Sequence, residues 1–244
     1  MSSKNNWDRH YKNSFRIITS LLGIKGNFVL NSTISDYILK YSNKYDNFLE
    51  IGAGSGRLTK ILSKKFRYCT ILDKSEYAIK LAQKICGDCT LIPKDIFNYK
   101  KDSYYDVVAS VGLMEHFSQD EMEKLLLKSI SLVRNDGHLF ICVPSYSKER
   151  EILVNTPKMI KKYGYQDPKA EFKINMFLEA KSISYKKLYL DRIGSIGILS
   201  KLLRYLNILI YYIFKYNIDK HIKLNKGSYV LFIINKYAVK IKIL

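Results

Sequence analysis

Short apolar runs alternate with amphipathic stretches along most of the chain, and this pattern predicts both kinds of regular structure. Five apolar runs are bounded by polar or turn residues, as buried strands are. They are NFLEIG (47–52), RYCTILD (67–73), CTLIPKD (89–95), YDVVASVG (105–112) and HLFICVP (138–144). Because helical stretches separate most of these runs, the crossovers should be right-handed and the sheet mostly parallel.

Helical periodicity is found before and between the apolar runs. The predicted helices cover 7–22, 31–43, a stretch that starts near Gly56, 74–85 and 118–134. The last of them opens with Ser118 and Glu121, the spacing of a capping box. The NDG triplet that follows, at 135–137, predicts a turn before the fifth strand.

The last third of the chain is less regular. It predicts a helix at 171–182 and strands at 184–191 and 228–236. Between the strands, 196–216 predicts an amphipathic helix whose longest uncharged run is about half of what a bilayer span needs. Its apolar stripe should pack on the core or on a second copy of the chain, with a membrane surface as the alternative. The stripe consists of Ile196, Leu199, Leu203, Leu206, Ile210 and Ile213.

Composition allows a single large domain and leaves the basic charge open to two interpretations. The chain has 244 residues, 47% of them apolar, and a net charge of +19. Residues 151–244 hold 18 Lys and Arg against 6 Asp and Glu. This excess fits a nucleic-acid or anionic membrane surface, but also a general bias toward Lys, Ile, Asn and Tyr. The polar start MSSKNNWDRH predicts no signal peptide, and hence a cytoplasmic protein, with a peripheral membrane position left open.

Four cysteines give little indication of a metal site. Cys86 and Cys89 form one CxxC pair, but no second pair or matching His pair completes a zinc site. Cys142 lies inside an apolar run and should be buried. The sequence therefore predicts no metal ion and reduced thiols.

The stretch FLEIGAGSG (48–56) joins the first strand to a helix and suggests a ligand site. Gly52, Gly54 and Gly56 follow Glu50, and glycine lets a ligand approach the backbone closely. The spacing fails the dinucleotide fingerprint, which needs a further Gly or Ala, and the stretch lacks the Lys of a phosphate-binding P-loop. The choice of ligand therefore depends on the next acids.

Acidic residues end the first three strands in succession. Asp73 ends the second strand, where a carboxylate can accept both hydroxyls of a ribose. Asp95 ends the third strand, where it can accept an amine such as that of adenine. With Glu50, these acids indicate a ligand that has an amino-acid end, a ribose and an adenine.

These motifs together resemble class I S-adenosylmethionine-dependent methyltransferases, in particular their small-molecule group (methyltransferase type 11). The matching segments are FLEIGAGSG (48–56), ILDKS (71–75), PKDIF (93–97), SVGLMEHF (110–117) and LVRNDGHLFICVP (132–144). The resemblance implies an α/β, Rossmann-like seven-stranded sheet in the order 3-2-1-4-5-7-6. Its last strand should be antiparallel, with helices on both faces. It also implies S-adenosyl-L-methionine as cofactor.

The resemblance also assigns roles to individual residues. The three glycines would lie beneath the methionine part of the cofactor, and Glu50 would support the loop. Asp73 would bind the ribose, Asp95 the adenine amine, and Ile96 or Phe97 would flank the ring. The other expected cofactor contacts are Lys74, Ser110 or its neighbours through backbone carbonyls, and Tyr11 in an N-terminal lid.

The acceptor side is less well determined by the resemblance. His116 follows the fourth strand, where the acceptor should approach, and is the candidate base; loop organisation is the alternative. SVGL replaces the Asn/Asp-Pro-Pro-Tyr of amino-directed nucleic-acid and protein members, which favours a small-molecule acceptor. We therefore expect methyl transfer to oxygen on a metabolite, sugar, quinone precursor or lipid-linked compound. The alternatives are an RNA methyltransferase that uses the basic C-terminal half, and a non-catalytic cofactor-binding or scaffold protein.

The expected organisation is one domain over 1–244. An N-terminal helical lid (1–44) would precede the cofactor-binding core (45–145), and 146–244 would supply the acceptor side. Aromatic and Met side chains between the fifth and sixth strands could line an acceptor pocket. They are Tyr146, Tyr163, Tyr165, Phe172, Met176 and Phe177.

Overall fold

A seven-stranded sheet forms the centre of the molecule. The computed structural model describes residues 28–42, 46–195, 200–214, 217–222, 224 and 226–236. The strands are β1 (Asn47–Ile51), β2 (Tyr68–Leu72), β3 (Thr90–Ile92), β4 (Tyr105–Val111), β5 (Val133–Pro144), β6 (Tyr185–Leu190) and β7 (Tyr229–Asn235).

The strand order is β3-β2-β1-β4-β5-β7-β6, which confirms the predicted sheet. β1 pairs in parallel with β2 and β4, β2 with β3, and β4 with β5. β7 is antiparallel to both β5 and β6. The carboxyl ends of β1 to β5 therefore meet along one edge of the sheet.

Most of the predicted helices are present in the described residues. The helices of the described residues are α1 (Phe28–Tyr41), α2 (Arg57–Leu62), α3 (Glu76–Ile85), α4 (Gln119–Leu132), α5 (Lys148–Val154), α6 (Pro157–Tyr163), α7 (Ala170–Ala180) and α8 (Ser200–Phe214). Of these, α5 and α6 were not predicted. The predicted capping box is confirmed: the Ser118 side chain and backbone N–H both donate to Glu121, 2.8 and 3.0 Å away. The predicted turn at 135–137 is instead part of β5, which begins earlier than predicted.

Apolar side chains fill both faces of the sheet, because successive residues of a strand point to opposite sides. On β1, Leu49 and Ile51 join one buried cluster with Val108, while Phe48 joins the other with Val107. Parallel strands buried on both faces read as continuous apolar runs, which is why they stood out in the sequence. The two cores hold the strand ends in fixed positions.

The predicted apolar stripe of α8 is exposed in part. Asn207 is buried and donates to Asn217, which donates to Thr33 of α1 at 2.7 Å, so polar contacts dock this helix. Two members of the predicted stripe, Leu206 and Ile213, are exposed. No helix among the described residues is long and apolar enough to cross a bilayer. The predicted helix at 7–22 lies outside the described residues.

The thiols of the CxxC pair also differ from the prediction. Cys86 and Cys89 are joined in a disulfide, where the sequence predicted reduced thiols. The end of α3 brings their Cα atoms within 5.7 Å, a separation that a disulfide can bridge. Cys142 is buried and free, as predicted.

Candidate functional site

One cavity of about 460 Å³ opens at the carboxyl ends of the central strands. Its lining includes the tips of β1 and β2 together with residues that follow β3, β4 and β5. Open α/β sheets bind ligands at this edge, because the strand order reverses there and leaves a crevice. The predicted acids Glu50, Asp73 and Asp95 all line this one cavity.

The glycine-rich turn after β1 needs glycine at particular positions. Gly52, Gly54 and Gly56 have φ values of 61°, 54° and 67°, a left-handed region that other residues adopt only with strain. A Cβ at Gly52 would lie 2.7 Å from Cδ1 of Leu113, so a side chain there would crowd the cavity wall. The turn therefore presents bare backbone to the cavity, as a closely approaching ligand requires.

Glu50 holds the turn from below. Its carboxylate accepts a hydrogen bond from the backbone N–H of Thr59 at 3.0 Å and another from the Thr59 hydroxyl. Burial raises the pKa of Glu50 to about 7, although the Thr59 hydrogen bonds oppose the shift. These contacts agree with a supporting role for Glu50, exerted through α2.

Asp73 and Asp95 anchor their own loops while they line the cavity. Asp73 accepts hydrogen bonds from the backbone N–H groups of Gly54 (2.9 Å) and Ser75 (2.8 Å), so it ties the end of β2 to the glycine turn. Asp95 accepts from the N–H of Phe97 at 3.0 Å and caps a short 3-10 turn. Backbone contacts thus fix the orientation of both carboxylates.

The remaining predicted cofactor residues divide into three groups. Lys74 and Ile96 line the cavity. Ser110 is buried in β4 and is not part of the lining, whereas its neighbours Val111 and Gly112 are. Tyr11 lies outside the described residues.

A second group of polar side chains lines the cavity beyond β4, and we call it the polar wall. Its members come from the turn after β4, from α5, from the loop after α6 and from the start of β7. They are Glu115, His116, Arg150, Gln166 and Tyr229. The sequence singled out only His116 as a candidate for chemistry, since the other four carry no motif and meet only through long-range folding.

His116 has its ring orientation fixed. Nδ1 lies 2.8 Å from the carbonyl oxygen of Tyr165, and because a carbonyl only accepts, Nδ1 carries the proton of the neutral ring. Nε2 is then the nitrogen that can take up a proton. Burial lowers the pKa of His116 to about 4, with smaller contributions from Arg150 and Lys74 in the same direction. The imidazole is therefore neutral at pH 7.

Glu115 is the most deeply buried member of the polar wall. Only 3% of it is exposed, and burial raises its pKa to about 7, opposed in part by the charge of Arg150. Its carbonyl oxygen accepts from the N–H of Asp167 at 2.6 Å. Together with the His116 contact, this bond ties segment 165–167 to the turn after β4.

Comparison with known proteins identifies the kind of domain that carries this cavity. Residues 48–137 match the family model described as a methyltransferase domain. This match includes the glycine turn and all three acids. Residues 48–137 therefore form a methyltransferase domain.

Two curated relatives are similar to part of the chain. Phosphoethanolamine N-methyltransferase 1 of Triticum aestivum is 32% identical over 100 residues, 38% of this chain and 20% of that protein. Probable (S)-tetrahydroprotoberberine N-methyltransferase 2 of Papaver bracteatum is 26% identical over 100 residues, 38% of this chain and 27% of that protein. The chain thus spans about a fifth to a quarter of the length of these curated relatives.

Solved structures resemble the fold over nearly the whole chain. The plantazolicin methyltransferase BpumL in complex with SAH has 20% identity, covers 95% of each chain and gives a TM-score of 0.60. The N-methyltransferase NodS from Bradyrhizobium japonicum in complex with SAH has 14% identity and a TM-score of 0.62. The match covers 96% of this chain and 98% of the NodS chain. At these identities the likeness shows the shared fold.

The aromatic residues expected to line an acceptor pocket are mostly elsewhere. Of the six, Tyr163 lines the cavity of the methyltransferase domain, and Tyr165 contributes its carbonyl to His116. Phe177 is buried in the core, whereas Phe172 and Met176 are exposed. Helical spacing did not distinguish a pocket lining from core packing.

The buried carboxyl group of Glu115 should make stability depend on pH. Its pKa rises on folding from 4.5 to about 7, so the folded state binds its proton more tightly than the unfolded state does. The resulting stabilisation is fully present below pH 4.5 and is lost as the pH rises through 7. Glu115→Gln removes this titration. As the pH is raised, the melting temperature of Glu115→Gln should therefore increase relative to that of wild type.

Thermal melts of both proteins from mildly acidic to mildly alkaline pH would measure this difference. Glu50 titrates in the same range in both proteins, so its effect cancels. Glu76→Gln, at an exposed position, is the matched control and should follow wild type at every pH. A constant difference between Glu115→Gln and wild type would contradict the buried, proton-binding carboxyl.

Proposed function

We propose that the chain transfers the methyl group of S-adenosylmethionine to an amine nitrogen of a small-molecule acceptor. The observation that supports this most strongly is that one cavity joins the strand-tip acids to the polar wall. The acids follow β1, β2 and β3, and the polar wall lies on the side of β4, β5 and β7. Donor and acceptor would thus meet across the centre of the sheet.

The cofactor end of the cavity fits an adenosyl ligand. Asp73 would accept hydrogen bonds from the ribose hydroxyls and Asp95 from the adenine amine, while Ile96 would flank the ring. The bare backbone of the glycine turn would lie against the amino-acid part. When bound, S-adenosylmethionine supplies an electrophilic methyl group on its sulfonium. The protein then has to hold the acceptor close and in line.

The size and enclosure of the site support a small molecule over RNA. A cavity of about 460 Å³ falls within the ~300–1,000 Å³ range of small-molecule sites. Glu115 of the polar wall is buried and its other four members are half-buried, where a single compact acceptor can reach them. An RNA acceptor would instead need basic side chains arranged along an open surface around the cavity mouth.

The state of His116 favours nitrogen over the oxygen that the sequence predicted. A hydroxyl acceptor needs a base whose pKa is near the working pH, and a pKa of about 4 makes His116 a weak one. An amine has its own lone pair and only needs to be held in its neutral form. Two curated relatives are named as N-methyltransferases, which points the same way.

Methyl-transfer assays would test both which acceptor atom is methylated and what role His116 has. Purified protein would be incubated with methyl-labelled S-adenosylmethionine and a small-molecule extract, and the products identified by mass spectrometry. We expect the label on amine nitrogens. His116→Ala should lower kcat by less than about 100-fold, because a general base is worth ~10²–10⁴-fold.

His221→Ala, an exposed histidine outside the cavity lining, is the matched control and should retain full activity. Label on hydroxyl groups, with a larger loss in His116→Ala, would restore the oxygen hypothesis and contradict nitrogen. A parallel assay with total RNA in place of the small-molecule extract covers the RNA alternative, which label recovered in RNA would favour. Cofactor binding without any labelled product would favour the non-catalytic alternative.

A further inference from the structure

Three members of the polar wall have buried polar atoms that lack a hydrogen-bond partner. They are Oε2 of Glu115, Nε of Arg150 and Nε2 of Gln166. Of the seven such side-chain atoms among the described residues, these three belong to residues that line the same cavity. Leaving a buried donor or acceptor unpaired destabilises a protein, so three at one site indicate a ligand that supplies the partners.

The unpaired atoms belong to a firmly held site. Nη2 of Arg150 donates to Oε1 of Gln166 at 3.3 Å. This hydrogen bond already holds the two side chains next to each other. Gln166 lies within segment 165–167, which is tied to the turn after β4 by the bonds to His116 and Glu115. The site is therefore preorganised by contacts between distant parts of the chain.

The chemistry of these atoms describes the missing partner. Arg150 and Gln166 each offer an N–H, and Arg150 is the one member of the polar wall that carries a positive charge at pH 7. Two N–H donors on neighbouring side chains, one of them cationic, suit the oxygens of an acidic group. Oε2 of Glu115 is an acceptor beside them, and it suits an N–H of an amine.

Resting on the proposed amine methylation, we infer that the acceptor is an amine that carries an acidic group, which Arg150 and Gln166 bind. Carboxylate and phosphate share the required chemistry. Glu115 would take an N–H of the same molecule and so place the amine near His116. Arg150 and Gln166 would determine which amines enter the site, and they would take no part in methyl transfer itself.

Anion binding to the cofactor-loaded protein tests this inference without turnover. Inorganic phosphate and acetate would each be titrated calorimetrically into wild type saturated with S-adenosylhomocysteine. We expect at least one anion to bind, and its affinity to fall about tenfold or more in Arg150→Met. Gln166→Glu, which opposes the anion with a carboxylate, should weaken binding in the same way and serves as a second variant.

Arg67→Ala, at an exposed position outside the cavity lining, is the matched control and should bind anions as wild type does. The affinity for S-adenosylhomocysteine should be unchanged in Arg150→Met. No anion binding to wild type, or equal binding in all variants, would overturn the inference. So would a loss of cofactor affinity alone in Arg150→Met, because Arg150 would then serve the cofactor.

Turnover of matched amines separates this inference from the proposed function. O-Phosphoethanolamine would be compared with ethanolamine, and β-alanine with propylamine. Wild type should prefer the acidic member of a pair by about tenfold or more in kcat/KM, and Arg150→Met should lose the preference through KM. Equal use of both members contradicts the inference alone. Anion binding without methylation of any amine contradicts the proposed function alone.

Discussion

Alanine at position 73 is expected to weaken binding of S-adenosylmethionine about 30-fold, or about 2 kcal/mol, the scale of a charge-assisted hydrogen bond. Asp73 lies at the tip of β2 on the cavity wall, where it would meet the ribose hydroxyls. Its carboxylate also holds the N–H of Gly54 at 2.9 Å, so its loss would loosen the glycine turn as well. Calorimetric titration with S-adenosylmethionine and its demethylated product would measure the effect.

Two variants control for indirect effects of the Asp73 substitution. Asp73→Asn keeps the shape and one acceptor oxygen but loses the charge, so its affinity should lie between those of wild type and Asp73→Ala. Asp102→Ala removes an exposed carboxylate that pairs with Lys128 at 3.0 Å, away from the cavity, and should bind like wild type. Undiminished affinity in Asp73→Ala would mean that other groups hold the ribose.

The second large effect is expected on stability, from valine in place of Gly56. This residue precedes α2 with φ 67° and ψ 28°, a left-handed conformation that costs about 1–2 kcal/mol for other residues. Its Cβ would also lie 2.6 Å from Cδ1 of Ile71 in the core, and overpacking adds about 1–3 kcal/mol. Urea denaturation should therefore show a free energy of unfolding lowered by roughly 2–5 kcal/mol.

A second glycine offers a matched control for this substitution. Gly87 has no positive φ, and the nearest atom to a Cβ there is the Gln83 carbonyl oxygen at 3.9 Å, so Gly87→Ala should be close to neutral. Combining Gly56→Ala with Ile71→Val, which removes the crowded Cδ1, should recover the steric part of the loss. A Gly56→Val protein as stable as wild type would show that the turn does not need its left-handed glycine.

The strands of the sheet could be predicted from the sequence because each is indicated by residues that are adjacent in the chain. Strands buried on both faces read as continuous apolar runs, and the Ser118–Glu121 capping box marks a helix start within four residues. The acids at positions 50, 73 and 95 could be predicted as a group because parallel strands bring their carboxyl ends together. The order of the strands came from the family resemblance.

The polar wall could not be predicted because its parts meet only in the folded chain. Glu115 lies far along the chain from Arg150 and Gln166, and no spacing rule connects them. The helices α5 and α6, which frame this side of the cavity, are short and were missed. The pKa of His116 is lowered by burial in the folded chain, which its place in the sequence does not reveal.

The central claim is that carboxylates at neighbouring strand ends bind one adenosyl ligand together. The most direct measurement is a crystal structure of the chain with S-adenosylhomocysteine. We expect both ribose hydroxyls within hydrogen-bonding distance of Asp73, and the adenine between Asp95 and Ile96. A ligand bound away from these side chains, or in contact with only one of the two acids, would contradict the claim.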